Sequence, residues 1–387
     1  MNIKSLLLGS AAALIAVSGA RAADAVVVAE PEPAEYVKIC DVYGAGYFYI
    51  PGTETCLRIG GYVRYDIGAG DVGSLDGVNH VPDHQDGNTH STFYKNTRFT
   101  LKTWTGQETE LGTLKTYTET RFNYGNSSGD YLNQGATNAD DWQGRNKSLS
   151  LRFAWIQLGG LRVGKDDTAF DTFIGYAGNV IQDTIVPYGG QESNVVQYYF
   201  DAGNGFSGLV SLEEGAGKLG TIDSYVPHVV GGLKYKADWG AITGVVAYDS
   251  NYEEVAGKVR VDVNVTKEFS LFVMGGYGTD DNLTDPTNAI NAKGRGFYKQ
   301  WGGNWAIWGG GTYKINAKTS FNAQVSYDDW KNLGVAANIA YTVVPGFTVT
   351  AEVDYQNVGN DTPANSLWAG ATKKSNLGGI LRFQRSF

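Results

Sequence analysis

Apolar and polar side chains alternate with a period of two residues in successive segments of the chain. In segment 57–67, the odd positions are Leu, Ile, Gly, Val, Tyr and Ile, and the even positions carry three charged residues. Segments 257–266, 319–328 and 346–356 repeat this pattern. Such alternation predicts β-strands with one apolar and one polar face, because successive side chains of a strand point to opposite sides.

The pattern predicts sixteen strands along the chain. They are 57–67, 93–104, 113–124, 147–158, 161–165, 193–201, 205–213, 228–237, 240–249, 257–266, 269–277, 299–316, 319–328, 331–342, 346–356 and 376–387. The twelfth merges 299–311 with 312–316 through Trp305, Trp308 and Tyr313. The merge gives the even number of strands that a single-chain bacterial barrel requires.

Short and long connections alternate between these segments. Gly159-Gly160, Asp238-Trp239 and Ala317-Lys318 are short turns, whereas 68–92 and 166–192 are long loops. Short periplasmic turns and long extracellular loops are typical of outer-membrane barrels, and a soluble β-sandwich would not sort its connections in this way. We therefore expect an all-β fold, a 16-stranded antiparallel transmembrane barrel with lipid outside and a polar lumen.

The third predicted strand departs from this rule. Its expected outer face carries Thr116, Thr118 and Thr120 rather than apolar side chains. Either another subunit covers this face, or the strand points its side chains the other way.

The N-terminus has the pattern of a secretory signal peptide at 1–22. Lys4 precedes an apolar segment at 6–17, and Ala20-Arg21-Ala22 fits the cleavage motif. A membrane anchor is the alternative, but the apolar segment is too short to span a bilayer. We expect residues 23–55 to form an N-terminal periplasmic segment and 56–387 to form the barrel.

Composition supports an outer-membrane barrel and excludes some partners. The chain has 9 Trp, 24 Tyr, 16 Phe and 52 Gly, a mixture that suits aromatic girdles and closely packed strands. Its net charge of −9 argues against nucleic acid as a partner. Secretion would place Cys40 and Cys56 in an oxidising compartment, which favours a disulfide between them. Metal binding is the competing interpretation, but two cysteines without a nearby histidine make a poor site.

The last predicted strand ends on an aromatic residue. Phe383 and Phe387 share one face, and a terminal Phe on an alternating strand is similar to the sorting signal for outer-membrane assembly. Arg385 interrupts the apolar outer face, and we expect it at the periplasmic rim, where its stem can reach water.

Several motifs resemble those of alphaproteobacterial general porins. They are CDVYGAGYFYIPG at 40–52 with CLRI at 56–59, FNY at 122–124, LRVG at 161–164, PHVVGGLKY at 227–235, VPGFTV at 344–349 and RFQRSF at 382–387. The resemblance spans the expected mature chain. It implies a homotrimeric outer-membrane barrel with an inward-folded third loop, which passes small hydrophilic solutes. Outer-membrane lipid, lipopolysaccharide and the barrel assembly machinery are the other partners that it implies.

A charged constriction would give such a wide barrel its selectivity. Four arginines lie on neighbouring predicted strands at the alternate positions that are expected to face the lumen: Arg64, Arg98, Arg121 and Arg152. Four acids lie in or beside the third long loop: Asp166, Asp167, Asp171 and Asp183. If this loop folds inward, its acids would face the arginines across a gap similar to the Debye length of about 8 Å. Alternatively, the arginines only pair with wall acids such as Asp66 and Glu119.

Two other classes of barrel explain the sequence less well. An outer-membrane enzyme would need a nucleophile beside a base or a metal cluster. His80, His84 and His90 have spacings without strand or helix context, so we expect no catalytic residue, no metal and no cofactor. An adhesive barrel with a blocked lumen would not need a charged inner face.

Overall fold

The computed structural model describes residues 38–78, 81–126, 143–189, 192–359 and 374–387. The expected signal peptide and residues 23–37 lie outside these ranges. Among the described residues, no helix is long and apolar enough to cross a membrane.

Sixteen antiparallel strands form the barrel, as the alternation predicted. They are β1 (Cys56–Gly70), β2 (Tyr94–Thr109), β3 (Gly112–Gly125), β4 (Ser150–Leu158), β5 (Leu161–Asp167), β6 (Glu192–Gly203), β7 (Phe206–Gly215), β8 (His228–Ala237), β9 (Gly240–Asp249), β10 (Glu254–Asn264), β11 (Phe269–Gly278), β12 (Trp305–Asn316), β13 (Thr319–Asp328), β14 (Leu333–Val344), β15 (Phe347–Asn357) and β16 (Ser375–Ser386). In the described parts of the connections, three contain a short α-helix: α1 (Ala169–Thr172), α2 (Gly217–Gly220) and α3 (Asp281–Thr284). A 3₁₀ helix spans Gly73–Val78.

The sheet closes on itself. Each strand pairs with its neighbours in sequence, and β16 pairs with β1 from Tyr62 opposite Ser386 to Gly70 opposite Gly378. Closure leaves no free sheet edge, which a membrane-spanning sheet requires because hydrocarbon offers no hydrogen-bond partners. The prediction of a closed 16-stranded barrel is confirmed.

Burial is inverted relative to that of a soluble protein. Adjacent residues of β10 show it: the Lys258 side chain faces the lumen and is 1% exposed, whereas Val259 faces outward and is 57% exposed. Asn322, Gln324 and Ser326 of β13 are likewise buried inside the barrel. Apolar exposure with polar burial is expected where the surrounding solvent is lipid.

One predicted strand begins later than expected. The merge of 299–311 with 312–316 is confirmed in that one strand, β12, crosses their boundary, but this strand starts at Trp305 rather than at 299. Residues Lys299 and Trp301 instead belong to the preceding loop and are buried inside the barrel. Aromatic residues on both sides of Trp305 made the loop and the strand indistinguishable by pattern.

The third strand has the expected parity. Thr103 and Thr105 of β2 face Thr118 and Thr116 of β3, with a hydroxyl–hydroxyl distance of 2.6 Å in each pair. These threonines therefore form a polar patch on the outer surface of the barrel.

The N-terminal segment is tied to the first strand by a disulfide. Cys40 and Cys56 are bonded, which confirms the prediction, and both are buried. A two-residue strand, Phe48–Tyr49, pairs with the start of β1. Tyr43 reaches the end of β2 near a short turn, where its hydroxyl donates to Glu108 at 2.9 Å. The segment therefore lies at the short-turn end of the barrel.

Candidate pore constriction

The loop after β5 folds into the lumen. This constriction loop (residues 168–189 of the described chain) begins with α1, whose N-cap is the side chain of Thr168. It crosses to the wall formed by later strands: Lys258 of β10 donates to Asp171 at 2.7 Å, and Gln324 of β13 donates to the Asp183 carbonyl at 2.7 Å. The backbone amide of Gln182 donates to Glu352 of β15 at 2.8 Å.

An apolar core holds the loop against this wall. Phe170, Ile174 and Val186 of the loop are at most 2% exposed and pack in one cluster with Met274 and Trp308 of the wall. The indole of Trp308 donates to the Val186 carbonyl at 2.8 Å. This side of the lumen is therefore filled with protein, and solutes must pass along the opposite wall.

Strands β1, β2, β3 and β16 line that opposite wall with cations. Two guanidinium groups share the buried carboxylate of Asp66: Arg64 at 3.2 Å and Arg382 at 2.7 Å. Arg382 was not predicted, although the alternation of β16 gives it the same parity as Asn376, which is buried in the lumen. Because Arg64 and Arg382 lie on adjacent strands, closure of the barrel brings them together.

A second carboxylate holds two further cations. Glu119 accepts from Arg121 at 2.7 Å and lies 3.3 Å from the ammonium of Lys102. Arg98 donates to the amide oxygen of Asn123 at 2.7 Å. Within the described chain, no carboxylate oxygen lies within 4.0 Å of the Arg98 guanidinium.

This basic wall therefore has excess positive charge. It comprises five cations and two carboxylates: Arg64, Arg98, Lys102, Arg121 and Arg382, with Asp66 and Glu119. Five positive charges and two negative charges give this wall a net charge of +3 on the side of the channel.

Arg152 occupies a different position from the other predicted arginines. The β3–β4 register shifts between Phe153 and Leu151, so that Arg152 is the extra residue of a β-bulge. Its guanidinium binds the carboxylate of Asp167 in a buried pair and lies 3.9 Å from Glu192. We conclude that this pair joins β4 to the root of the constriction loop.

Three predicted acids also lie away from the basic wall. Asp166 pairs with Arg162, four residues earlier on β5, at 2.6 Å. Asp171 is completely buried against Lys258, on the filled side of the lumen. Asp183 accepts from Tyr188 within the loop at 2.7 Å. We expected these acids to face the arginines of the basic wall, but the structure places them elsewhere. Each acid has a nearer partner, which the alternation of the sequence could not identify.

Burial modifies the acid of the loop that has no cation partner. Burial and, to a smaller extent, the nearby carboxylate of Glu352 raise the pKa of Asp183 against the opposing hydrogen bond from Tyr188, and the resulting pKa is about 7. The neutral form of Asp183 is therefore favoured below about pH 7 while the loop is docked.

A small cavity separates the loop from the basic wall. It has a volume of about 170 Å³, and Arg64, Arg98 and Arg382 line one side of it. The loop contributes Ile181 and Gln182, neither of which is charged. A larger cavity of about 590 Å³ lies under α1 at the short-turn end, where Lys234 and Arg162 contribute to its lining.

The chain end completes the seam of the barrel. The backbone of Phe387 exchanges two hydrogen bonds with Gly61, at 3.0 and 3.1 Å. Its side chain is exposed on the outer surface, and Phe383 lies opposite Tyr65 of β1. Of the two residues predicted as an assembly signal, Phe383 therefore lies in the strand that closes the barrel, and Phe387 extends its pairing by one residue.

His84 and His90 of the first loop lie in an exposed hairpin, whereas His80 lies outside the described residues. Ligand atoms of Asp83, Asp86 and His90 lie within 4.8 Å of one another. One oxygen of Asp83 already accepts from the backbone amides of Gln85 and Asp86, which gives it a role in the turn.

A closed barrel with an apolar outer surface, a charged lumen and an inserted loop defines the class of outer-membrane channels. The chain matches the family described as "Porin subfamily" over residues 24–380. It is 50% identical over 399 residues to Porin Omp2b of Brucella suis biovar 1, and equally to Porin Omp2b of Brucella melitensis biotype 1, with each chain covered in full. The chain therefore belongs to the porin subfamily.

Solved structures with low sequence identity share the fold. The outer membrane channel DcaP of Acinetobacter baumannii is 15% identical, with a TM-score of 0.58 over 88% of this chain and 99% of that one. An anion-selective porin from Comamonas acidovorans is 12% identical, with a TM-score of 0.50 over 86% of this chain and all of the other. Family and fold together establish an outer-membrane porin of a Gram-negative bacterium, with a water-filled channel for small hydrophilic solutes and ions.

Proposed function

We propose that this porin is a general diffusion channel whose constriction favours small anions over small cations. The observation that carries the proposal is the basic wall, where two carboxylates hold four cations and a fifth, Arg98, is bonded to a neutral amide. Excess charge in a narrow passage raises the local concentration of ions of the opposite sign.

The placement of the loop acids supports this sign. Asp167 is neutralised by Arg152, Asp166 by Arg162 and Asp171 by Lys258. The loop side chains beside the cavity are uncharged. The field at this point is therefore dominated by one wall, rather than running between arginines and loop carboxylates.

A salt gradient across a planar bilayer tests the proposal. Stepwise channels of the purified protein in a tenfold KCl gradient should show a reversal potential of the sign for chloride, which shrinks as the salt concentration rises. Liposomes that contain the protein should also swell in small neutral sugars, as a general diffusion pore requires. A reversal potential of the sign for potassium would contradict anion preference, and absence of swelling would contradict general diffusion.

We further propose that the protein assembles as a homotrimer through the threonine patch of β2 and β3. Hydroxyl groups facing lipid have no partner beyond one another, whereas a second copy could cover them with protein. Thr116 and Thr118 are half-buried by their own chain alone.

A bulky substitution tests this interface. Thr118→Trp should convert trimer to monomer on a native gel, because the indole would separate the two surfaces. Val246→Trp is the matched control, since Val246 is exposed on the outer wall at β9. Trimer yield equal in both variants would refute the assignment of this face.

The remaining partners follow from the membrane and the chain end. We propose that lipid and lipopolysaccharide contact the outer surface, and that the barrel assembly machinery recognises the strand ending in Phe383 and Phe387. We assign transport and no catalytic reaction to the chain, since its relatives are channel proteins.

A further inference from the structure

A second loop enters the lumen beside the constriction loop. This clamp loop (residues 279–304) joins β11 to β12 and carries Phe297, Tyr298 and Trp301, which are at most 4% exposed. All three belong to the apolar cluster that includes Phe170 of the constriction loop. Aromatic side chains in an extracellular connection would otherwise face water, so their burial shows that this loop also packs inside the barrel.

The two loops share one buried carboxylate. Glu213 of β7 is 1% exposed and accepts from the Thr168 hydroxyl at 2.6 Å and the Ala169 amide at 2.8 Å, both at the start of the constriction loop. Its other donors are Ser211 at 2.8 Å and, from the clamp loop, the Tyr298 hydroxyl at 3.0 Å. No described cation lies within salt-bridge distance of Glu213, so the four hydrogen bonds are what stabilise its charge.

The aromatic rings extend this contact. Tyr298 meets Phe170 edge to face with ring centroids 5.4 Å apart. Trp301 meets Trp308 at 5.6 Å, and Trp308 in turn meets Tyr188 of the constriction loop at 6.3 Å. The clamp loop therefore supports both the start and the end of the constriction loop.

We propose that the clamp loop positions the constriction loop, with Tyr298 as the positioning residue, and so sets the calibre of a channel that Tyr298 does not line. This inference rests on the proposed constriction. Removing the Tyr298 hydroxyl leaves Glu213 with three donors and weakens the docking of α1. Since hydrogen bonds to buried charges are strong, undocked states should become about tenfold more populated.

Thiol accessibility of a buried loop position measures undocking directly. Ala177 of the constriction loop is 2% exposed, and both natural cysteines are bonded, so Ala177→Cys supplies the reactive thiol. In full-length protein reconstituted in liposomes, a small charged methanethiosulfonate reagent should label this thiol about tenfold faster when Tyr298→Phe is added. The same variant should show brief transitions between conductance levels in single-channel recordings.

Tyr252→Phe is the matched control. Its hydroxyl donates to the Ile290 carbonyl at 2.7 Å, a bond to the same loop that does not involve the constriction loop. This variant should label like the parent. Trp301→Phe, which keeps an aromatic ring but reduces contact with Trp308, provides a second variant if Tyr298→Phe does not fold, as judged by heat-modifiable mobility.

The outcomes separate this inference from the proposed function. Unchanged labelling and unchanged conductance steps in a folded Tyr298→Phe or Trp301→Phe protein would refute the clamp, whatever the reversal potential. Faster labelling in both Tyr298→Phe and Tyr252→Phe would also refute it, because any hydroxyl loss would then loosen the loops. A potassium-signed reversal potential with accelerated labelling only in Tyr298→Phe would overturn anion preference and leave the clamp in place.

Discussion

Replacing Arg98 should reduce the preference for anions more cleanly than replacing any other residue of the basic wall. Arg98 lies on the lumen side of β2 and lines the cavity opposite the constriction loop. Its hydrogen-bond partner is the neutral amide of Asn123, so Arg98→Gln leaves no described carboxylate unpaired. Replacing Arg64 or Arg382 would instead free part of the charge of Asp66.

Coulomb's law sets the size of the effect. A unit charge about 5 Å from a permeating ion in aqueous surroundings contributes about 0.8 kcal/mol. Screening at 0.1 M salt, with a Debye length of about 10 Å, leaves about 0.5 kcal/mol. Because the anion loses this amount and the cation gains it, the anion-to-cation ratio should fall about fivefold. At 1 M salt the Debye length is about 3 Å, and the change should be less than about twofold.

Reversal potentials in a KCl gradient at low and high salt measure this ratio. Arg98→Lys keeps the charge and should retain the selectivity of the parent protein. Lys318→Gln removes a charge from an exposed turn between β12 and β13 and should also change nothing. If Arg98→Gln and Arg98→Lys have the same reversal potential at 0.1 M salt, the charge of Arg98 is not felt by permeating ions and the reasoning fails.

Three further changes test other parts of the structure. Deleting Phe387 removes two backbone hydrogen bonds to Gly61 and should lower the yield of heat-modifiable trimer in membrane fractions; normal yield would contradict an assembly role. Replacing Cys40 and Cys56 with Ser should lower the free energy of unfolding by about 3 kcal/mol, seen as a lower urea midpoint than in the bonded protein, with conductance unchanged. Because burial raises the pKa of Asp183 from 3.8 to about 7, its contribution to loop docking is complete below pH 3.8 and is lost as the pH rises to 7; current noise should therefore increase between pH 4 and 7 in the parent and level off above pH 7, but should not change in Asp183→Asn.

The barrel was predictable because its rule is local and repeated. Membrane strands need one apolar face, so a period of two marks each strand, and β8, β9 and β13 begin and end at the predicted residues. The parity of β1 also placed Arg64 and Asp66 on the lumen side without any knowledge of neighbours. If each strand pairs with its neighbours in sequence, the barrel is complete once the last strand pairs with the first.

The constriction was predictable only in part, because its contacts join distant segments. The alternation identified Arg98 and Arg121 as lumen residues. It could not show that Asp171 would form a buried ion pair with Lys258 and so lie away from the channel. The β-bulge at Arg152 likewise interrupts the two-residue alternation of its strand, and nothing in the local sequence pattern indicates the bulge. Arg382 could have been found by applying the same parity to the last strand.

The inserted loops did leave a signal in the sequence, which is their apolar content. A loop that remains in water gains nothing from residues such as Phe170, Phe173 or Trp301, which are buried here. A sixteen-stranded barrel is too wide for its own wall side chains to fill, so a polar lumen accepts a loop only if that loop supplies its own core. Apolar clusters in long connections between alternating strands therefore predict insertion. Glu213 shows the second requirement, since each buried charge beneath such a loop must receive hydrogen bonds from the loops that cover it.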